Sequence, residues 1–233
     1  MYKKYFCTFG DSRMEKSLKR IKKQAEGMQF FDKILINNEN NLDQDFREHF
    51  KDKLIKGSRG YGYWVWKPQI ILQAFREMND GDILLYTDVG CHFNKNGIKR
   101  LNEYFKMVES TPTGILAFHQ DTRPTTDPDL IALYDGLEKV FTKGDLFDYF
   151  GVRNNKSIVD TGQIMATAFI IKKSKQSKNF INEWLSVFKN RFNLVDDSKS
   201  ISPNFIDFIG HRHDQSIFSI LFYEKRQVFF IYF

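Results

Sequence analysis

The sequence predicts an α/β protein with a mixed, mostly parallel sheet flanked by helices, and three observations carry that prediction. Short apolar runs alternate with amphipathic stretches from the amino terminus to about residue 119. The first two runs enclose a helical pattern, the mark of a βαβ unit and therefore of parallel strands. A third run, Asp82 to Thr87, leads into a lone carboxylate, Asp88, with Gly90 two residues on. In open α/β sheets ligands bind beyond the carboxyl ends of strands, where a carboxylate can hold a divalent cation that neutralises a diphosphate, or can merely start a turn.

Taken in order, residues 3–9 are rich in Tyr, Phe and Thr and stop at Gly10-Asp11-Ser12, as a buried strand opening into a helix cap does. From Met14 to Gly27, Leu18, Ile21 and Ala25 recur at helical spacing among lysines, which predicts an amphipathic helix. Asp32 to Asn37 reads as the second strand, and residues 37–56 as loop and an imperfect helix. Arg59 to Pro68 is aromatic and broken by glycines; Pro68 suits the first turn of a helix over 69–78. If this aromatic segment is extended, Trp64 and Trp66 point to opposite faces, one to the core and one to a ligand ring, or both are core.

Asn79-Asp80-Gly81 is the turn before the Asp88 strand, residues 98–109 form a helix, and Thr113 to His119 form a strand. Residues 120–160 are irregular, with helical pieces at 129–140 and 144–150; loops this long tend to be lids or binding surfaces. A strand at 161–171 precedes a basic helix at 174–191 carrying Phe180, Trp184 and Phe188. A loop at 192–210, a helix from 211 to 224 and an apolar strand at 227–233 complete the chain. That terminal run is a sheet strand or the chain is cut short of its natural end.

The 233 residues fit one domain, with 42% hydrophobic residues and 24 Phe to fill its core. Cys7 and Cys91 have no metal-ligand spacing and suggest a reducing, cytoplasmic setting. The net charge of +6 is uneven: residues 1–60 carry 14 Lys/Arg against 9 Asp/Glu, and residues 172–191 carry 6 against 1. An anionic partner follows, a nucleoside diphosphate or an anionic lipid surface; without a zinc, helix-turn-helix or aromatic RNA-binding signature, nucleic acid is not expected. The basic helix either lies on lipid as a peripheral contact or buries its aromatic face. No run approaches the length of a membrane span.

Five segments, Gly10-Asp11-Ser12-Arg13, Gly62 to Pro68, Leu84 to Gly90, Thr161 to Thr167 and His213-Asp214-Gln215-Ser216, occur in an order that resembles the nucleotide-sugar glycosyltransferases of GT-A fold, particularly bacterial enzymes that decorate capsule or lipooligosaccharide. The resemblance spans about residues 10–216. It implies a Rossmann-like sheet with a nucleotide-binding half, about 1–118, and an acceptor half, about 119–233. It also implies a nucleoside diphosphate sugar donor and a glycan or lipid-linked glycan acceptor.

By the same resemblance, Phe9, Asp11 and Arg13 meet the nucleoside, although Asp11 or Ser12 equally suits a helix cap. Asp88 falls at the Asp-x-Asp site of a divalent cation, Mn²⁺ or Mg²⁺, with His213 as a reserve ligand. This chain departs there, because Gly90 replaces the second carboxylate. Arg59 and Lys67 are the alternative phosphate partners, unless they are surface cations. Trp66 is a candidate stacking residue. Gln163 is implied to face the donor sugar, Asp214 to bind its hydroxyls and Gln215 to lie near the reacting carbon; Asp160 and Asp214 are the candidates for a general base.

On this footing, replacing Asp88 with Asn is expected to abolish transfer and leave the melting temperature within a few degrees. Two other readings stand beside it. A phosphate-handling transferase lacks support from any Gly-x-x-x-x-Gly-Lys loop. A binding module that has lost its chemistry fits the missing second carboxylate.

Overall fold

The computed structural model describes residues 2–111, 113–120, 136–225 and 230–232. Among them are six strands, β1 Lys4–Phe9, β2 Lys33–Asn37, β3 Ile83–Thr87, β4 Ile115–His119, β5 Ile164–Lys172 and β6 Phe230–Tyr232, in the order β2-β1-β3-β5-β4-β6. β1 pairs parallel with β2 and β3, β3 antiparallel with β5, and β4 parallel with β6. This is the expected mixed, mostly parallel sheet. The chain divides into two compact units, Met1–Leu116 with Thr167–Glu183, and Ala117–Ala166 with Trp184–Phe233. Each is taken by itself.

In the first unit, β1 and β3 are buried almost throughout, as apolar strands covered on both faces should be. Helix α1, Glu15–Met28, buries Leu18, Ile21, Ala25 and Met28 at helical spacing and leaves its lysines outside. Gly10 permits its close approach: a Cβ there would stand 2.9 Å from the Met14 Cβ and 3.2 Å from the Leu18 Cγ. Helix α2 spans Gln44–His49, and helix α3, Trp66–Glu77, starts three residues before the expected 69. Pro68 lies in its first turn, where a missing N–H costs nothing. Helix α4, Ile98–Ser110, completes the unit's main helices and buries Phe105 and Val108.

The segment before α3 is not extended. Gly60, Tyr61, Gly62, Tyr63 and Trp64 all have positive φ, at 56°, 49°, 87°, 54° and 61°. Together they form one left-handed turn, closed by the Trp64 N–H donating to the Gly60 carbonyl at 3.1 Å. The face-alternation argument for Trp64 and Trp66 therefore fails: Trp66 is the first residue of α3 and is buried, and Trp64 is half-buried in the turn. L-residues resist this conformation by roughly 1–2 kcal/mol each, and Gly60 and Gly62 take two of its five places without that penalty.

In the second unit, short helices α5 Glu138–Phe141, α6 Gly144–Tyr149 and α7 Lys156–Val159 occupy the stretch read as irregular. Residues 121–135, which include part of the irregular stretch at 120–160 and most of the helical piece at 129–140, lie outside the described residues, as do 226–229 of the terminal strand. Helix α9, His213–Glu224, buries Ile217, Phe218, Ile220, Leu221 and Phe222. Trp184 packs on Phe218 with ring centroids 5.0 Å apart and donates from Nε1 to the Asp214 carbonyl at 3.1 Å. Helix α8, Lys175–Asn190, has its residues to Glu183 in the first unit and the rest in the second, and its aromatic residues Phe180, Trp184 and Phe188 are all buried. Among the described residues no helix is long and apolar enough to cross a membrane.

Candidate functional site

The first unit carries a pocket of about 310 Å³ just beyond the carboxyl ends of β1 and β3. Phe9, the last residue of β1, stacks on Trp66 with centroids 4.1 Å apart and planes 19° apart, and on Tyr61 at 6.1 Å. The Trp66 Nε1 donates to the Gly60 carbonyl at 2.9 Å, which ties the left-handed turn to helix α3. The result is a stack of three rings in which Phe9 and Trp66 are buried and Tyr61 is the part-exposed member, the one with surface left for a planar ring to pack on. Trp64 lines the same pocket.

Two carboxylates also line it, and each has a cation of its own. Asp11 accepts from the Arg13 guanidinium, with Nη2 at 2.6 Å and Nε at 3.1 Å, and from the Arg13 backbone N–H at 2.9 Å. It thus caps the short turn Ser12–Met14 as well as facing the pocket, and the Arg13 hydrogen bonds hold its carboxyl below the ordinary carboxylate range. Asp88 follows β3, where period-two alternation puts it on the same face as Tyr86. The Tyr86 hydroxyl donates to Asp88 Oδ1 at 2.6 Å, and the Lys67 Nζ lies 3.2 Å from the same oxygen. Lys67, in the first turn of α3, has a side chain only 3% exposed, against 32% for Asp88. Arg59 is exposed and does not line the pocket. At Gly90 a Cβ would meet nothing within 4 Å, so the space beside it is open.

Arg20 on α1 was not singled out from the sequence, yet its guanidinium donates to the carbonyls of Val89 at 2.6 Å and Cys91 at 2.7 Å and so holds the turn after Asp88. Its position on a helix otherwise rich in surface lysines gave no signal. Tyr86 was legible in principle, since it stands two residues before Asp88 on a strand.

In the second unit the polar residues of the Thr161 and His213 segments do meet. Gln163 is fully buried, and its Nε2 lies 3.1 Å from Glu138 Oε2, 3.0 Å from Thr142 Oγ1 and 3.1 Å from Ser216 Oγ. Its Oε1 accepts from Gln215 Nε2 at 2.9 Å, while Gln215 Oε1 accepts from the Ala166 N–H at 3.3 Å. Asp214 is buried in the first turn of α9. His213 is buried, with Nδ1 2.6 Å from the Val195 carbonyl oxygen and Nε2 3.7 Å from Asp197. Asp160 pairs with Lys139 at 3.0 Å. Glu138, also missed in the sequence, is fully buried, and loss of solvent pushes its carboxyl up to about 7 against the hydrogen bonds it receives.

These residues offer a divalent cation few ligands of their own. Among the described residues no group of three or more His, Cys, Asp or Glu could hold one, and Asp88 Oδ1 is already engaged by Tyr86 and Lys67.

No protein-family model matches the sequence, and no curated protein matches it. Among solved structures the chain is similar to a glycosyltransferase involved in glycosylation of the major capsid of PBCV-1, at 11% identity and TM-score 0.48, over 99% of this chain and 80% of that one. It is similar to mouse xyloside xylosyltransferase 1 in its apo form, at 11% identity and TM-score 0.49, over 100% and 84%. A third likeness, at 13% identity and TM-score 0.40 over 97% and 99%, is to 4-diphosphocytidyl-2C-methyl-D-erythritol synthase from Anaerococcus prevotii.

Proposed function

We propose that the chain is a glycosyltransferase that moves a sugar from a nucleoside diphosphate sugar to a glycan acceptor. The observation that carries it is the first-unit pocket, with stacked rings of Phe9, Trp66 and Tyr61 on one side and the carboxylates Asp11 and Asp88 on the other, beyond the carboxyl ends of β1 and β3. An aromatic face suits a base, and carboxylate acceptors suit ribose or sugar hydroxyls. Phe9, Asp11, Arg13, Trp66 and Asp88 are the nucleotide-binding residues under this proposal, with Asp214 assigned to the donor-sugar hydroxyls and Gln215 to the reacting carbon, and the second unit serves the acceptor side.

The order of the sequence segments supports a role in bacterial surface-polysaccharide synthesis. Two free cysteines, Cys7 and Cys91, fit a cytoplasmic setting. A binding module without turnover is the second reading, favoured by Gly90 standing where a second carboxylate is implied and by Gln163 being wholly enclosed.

The test is a thermal titration with UDP, GDP, CDP, TDP and their sugar conjugates, followed by a donor-hydrolysis assay. A true donor at a hundredfold excess over its Kd adds about 2.7 kcal/mol of stability. A shift with hydrolysis supports the transferase, a shift without hydrolysis supports the binding module, and no shift with any nucleotide overturns both.

A further inference from the structure

Any divalent cation at Asp88 has to contend with Lys67. Its ammonium lies 3.2 Å from Asp88 Oδ1, and its side chain is 3% exposed, so it cannot exchange this partner for water without rearrangement. The Tyr86 hydroxyl takes the same oxygen at 2.6 Å, and Lys67 lies 5.4 Å from the Tyr86 ring centroid, so carboxylate, phenol and ammonium form one packed group. A hard cation asks for several oxygen ligands, and even where a diphosphate and water supply most of them the protein contributes one or two carboxylates. Asp88 has only Oδ2 outside this group, the residue two positions on is Gly90, and a cation bound at Oδ2 would sit against the resident positive charge of Lys67.

The other carboxylate of the pocket is matched as well. Arg13 engages Asp11 through Nε and Nη2, which leaves its Nη1 edge outside that pairing on a side chain 45% exposed at the pocket wall. That edge is a donor suited to a phosphate oxygen.

We propose that the first-unit pocket binds a nucleoside diphosphate without a divalent cation, because Lys67 is built in as the counter-charge of Asp88 and Arg13 supplies the exposed positive charge. The proposal rests on the nucleotide-binding reading given above and names how that pocket handles charge. Asp88 is then an acceptor for a ligand hydroxyl, held in place by Lys67 and Tyr86. Lys67 is a positioning residue that reaches the ligand only through Asp88.

Calorimetric titration of the full chain with UDP, GDP, CDP and TDP, in EDTA and in millimolar MnCl₂, tests it. The nucleotide that binds should do so with affinities within about threefold of each other in the two buffers. A gain of about tenfold or more on adding Mn²⁺ overturns the proposal and leaves the nucleotide reading standing. No binding of any of the four in either buffer overturns the nucleotide reading, and the proposal falls with it.

Direct Mn²⁺ binding, followed by electron paramagnetic resonance without nucleotide, gives an independent readout. The wild-type chain should take up no Mn²⁺ stoichiometrically, whereas Gly90→Asp, which adds a carboxylate with no cation of its own in open space, should gain a site. Lys67→Met leaves Asp88 without its ammonium and should make nucleotide affinity rise on adding Mn²⁺, the diphosphate supplying the further oxygen ligands. Stoichiometric Mn²⁺ on the wild type, or its absence from a folded Gly90→Asp, counts against the proposal.

Discussion

The guanidinium of Arg20 donates to the carbonyl oxygen of Val89 at 2.6 Å and to that of Cys91 at 2.7 Å, so helix α1 grips the turn that carries Asp88 into the pocket. A charged donor on two carbonyls is worth more than a neutral one, about 1.5–3 kcal/mol for each hydrogen bond. Arg20→Met keeps the aliphatic stem and removes both bonds. We expect it to lower the melting temperature by several degrees and nucleotide affinity by about tenfold, as the turn after Asp88 loosens. Lysine, with one ammonium in place of a fork, should recover only part of either loss. Calorimetry of the three proteins checks both effects.

The left-handed turn at 60–64 makes a sharper steric prediction. A Cβ on Gly60 would stand 2.5 Å from the Trp64 indole, and its φ of 56° is strained for alanine in any case. Gly60→Ala should therefore displace Trp64 from the pocket wall and disturb the Trp66 Nε1 bond to the Gly60 carbonyl. The expected stability loss is about 1–3 kcal/mol, with loss of any nucleotide-induced thermal shift. Gly81→Ala is the control: its φ of 92° carries similar backbone strain, but nothing lies within 4 Å of the added methyl and it is remote in sequence from the pocket residues. If both variants lose stability and only Gly60→Ala loses nucleotide binding, the turn is a wall of the site.

Strand and helix spacing made most of the first unit legible, because apolar period and glycine punctuation report burial directly. The same rules misread the 59–68 segment. Alternation presumes an extended backbone, and nothing in Gly60-Tyr61-Gly62-Tyr63-Trp64 announces five left-handed residues in succession except the paired glycines. Asp88 was visible as a carboxylate leaving an apolar strand. Its partner Lys67 was visible only as a candidate cation for phosphate, since sequence separation hides that the ammonium faces the carboxylate. In the second unit Gln163 and Gln215 were singled out, but not Glu138, which joins the cluster by a fold-dependent contact across 25 positions of sequence.

Glu138 gives a pH prediction with a definite sign. Burial raises its folded-state value from 4.5 to about 7. Between those limits the folded protein holds a proton that the unfolded chain has released, so this group's contribution is full below 4.5 and lost as pH rises through about 7. The loss amounts to roughly 3–3.5 kcal/mol. Glu138→Gln keeps an acceptor for Thr142 and Gln163 and cannot ionise. Its stability relative to wild type should therefore climb between about pH 4.5 and pH 7 and then level off, the window set by that shift. His211, whose value burial lowers, titrates in both proteins with the opposite slope and cancels in the difference.

Asp88→Asn, read from the sequence alone, should be nearly neutral for stability. We predict a cost instead, because the substitution takes the carboxylate away from the buried Lys67 ammonium. Removing one member of such a pair costs more than the pair contributes, and a penalty of about 1–3 kcal/mol is expected even though Asp88 itself is partly exposed. Lys67→Met should cost less, since the carboxylate it abandons still has access to water. The double variant Lys67→Met with Asp88→Asn should recover stability relative to Asp88→Asn alone, giving a coupling of about 1 kcal/mol or more in a double-mutant cycle. Additive losses in that cycle would mean that the two side chains are neighbours without being a functional pair. In that case the donor-binding role of Asp88 would have to be tested without reference to Lys67.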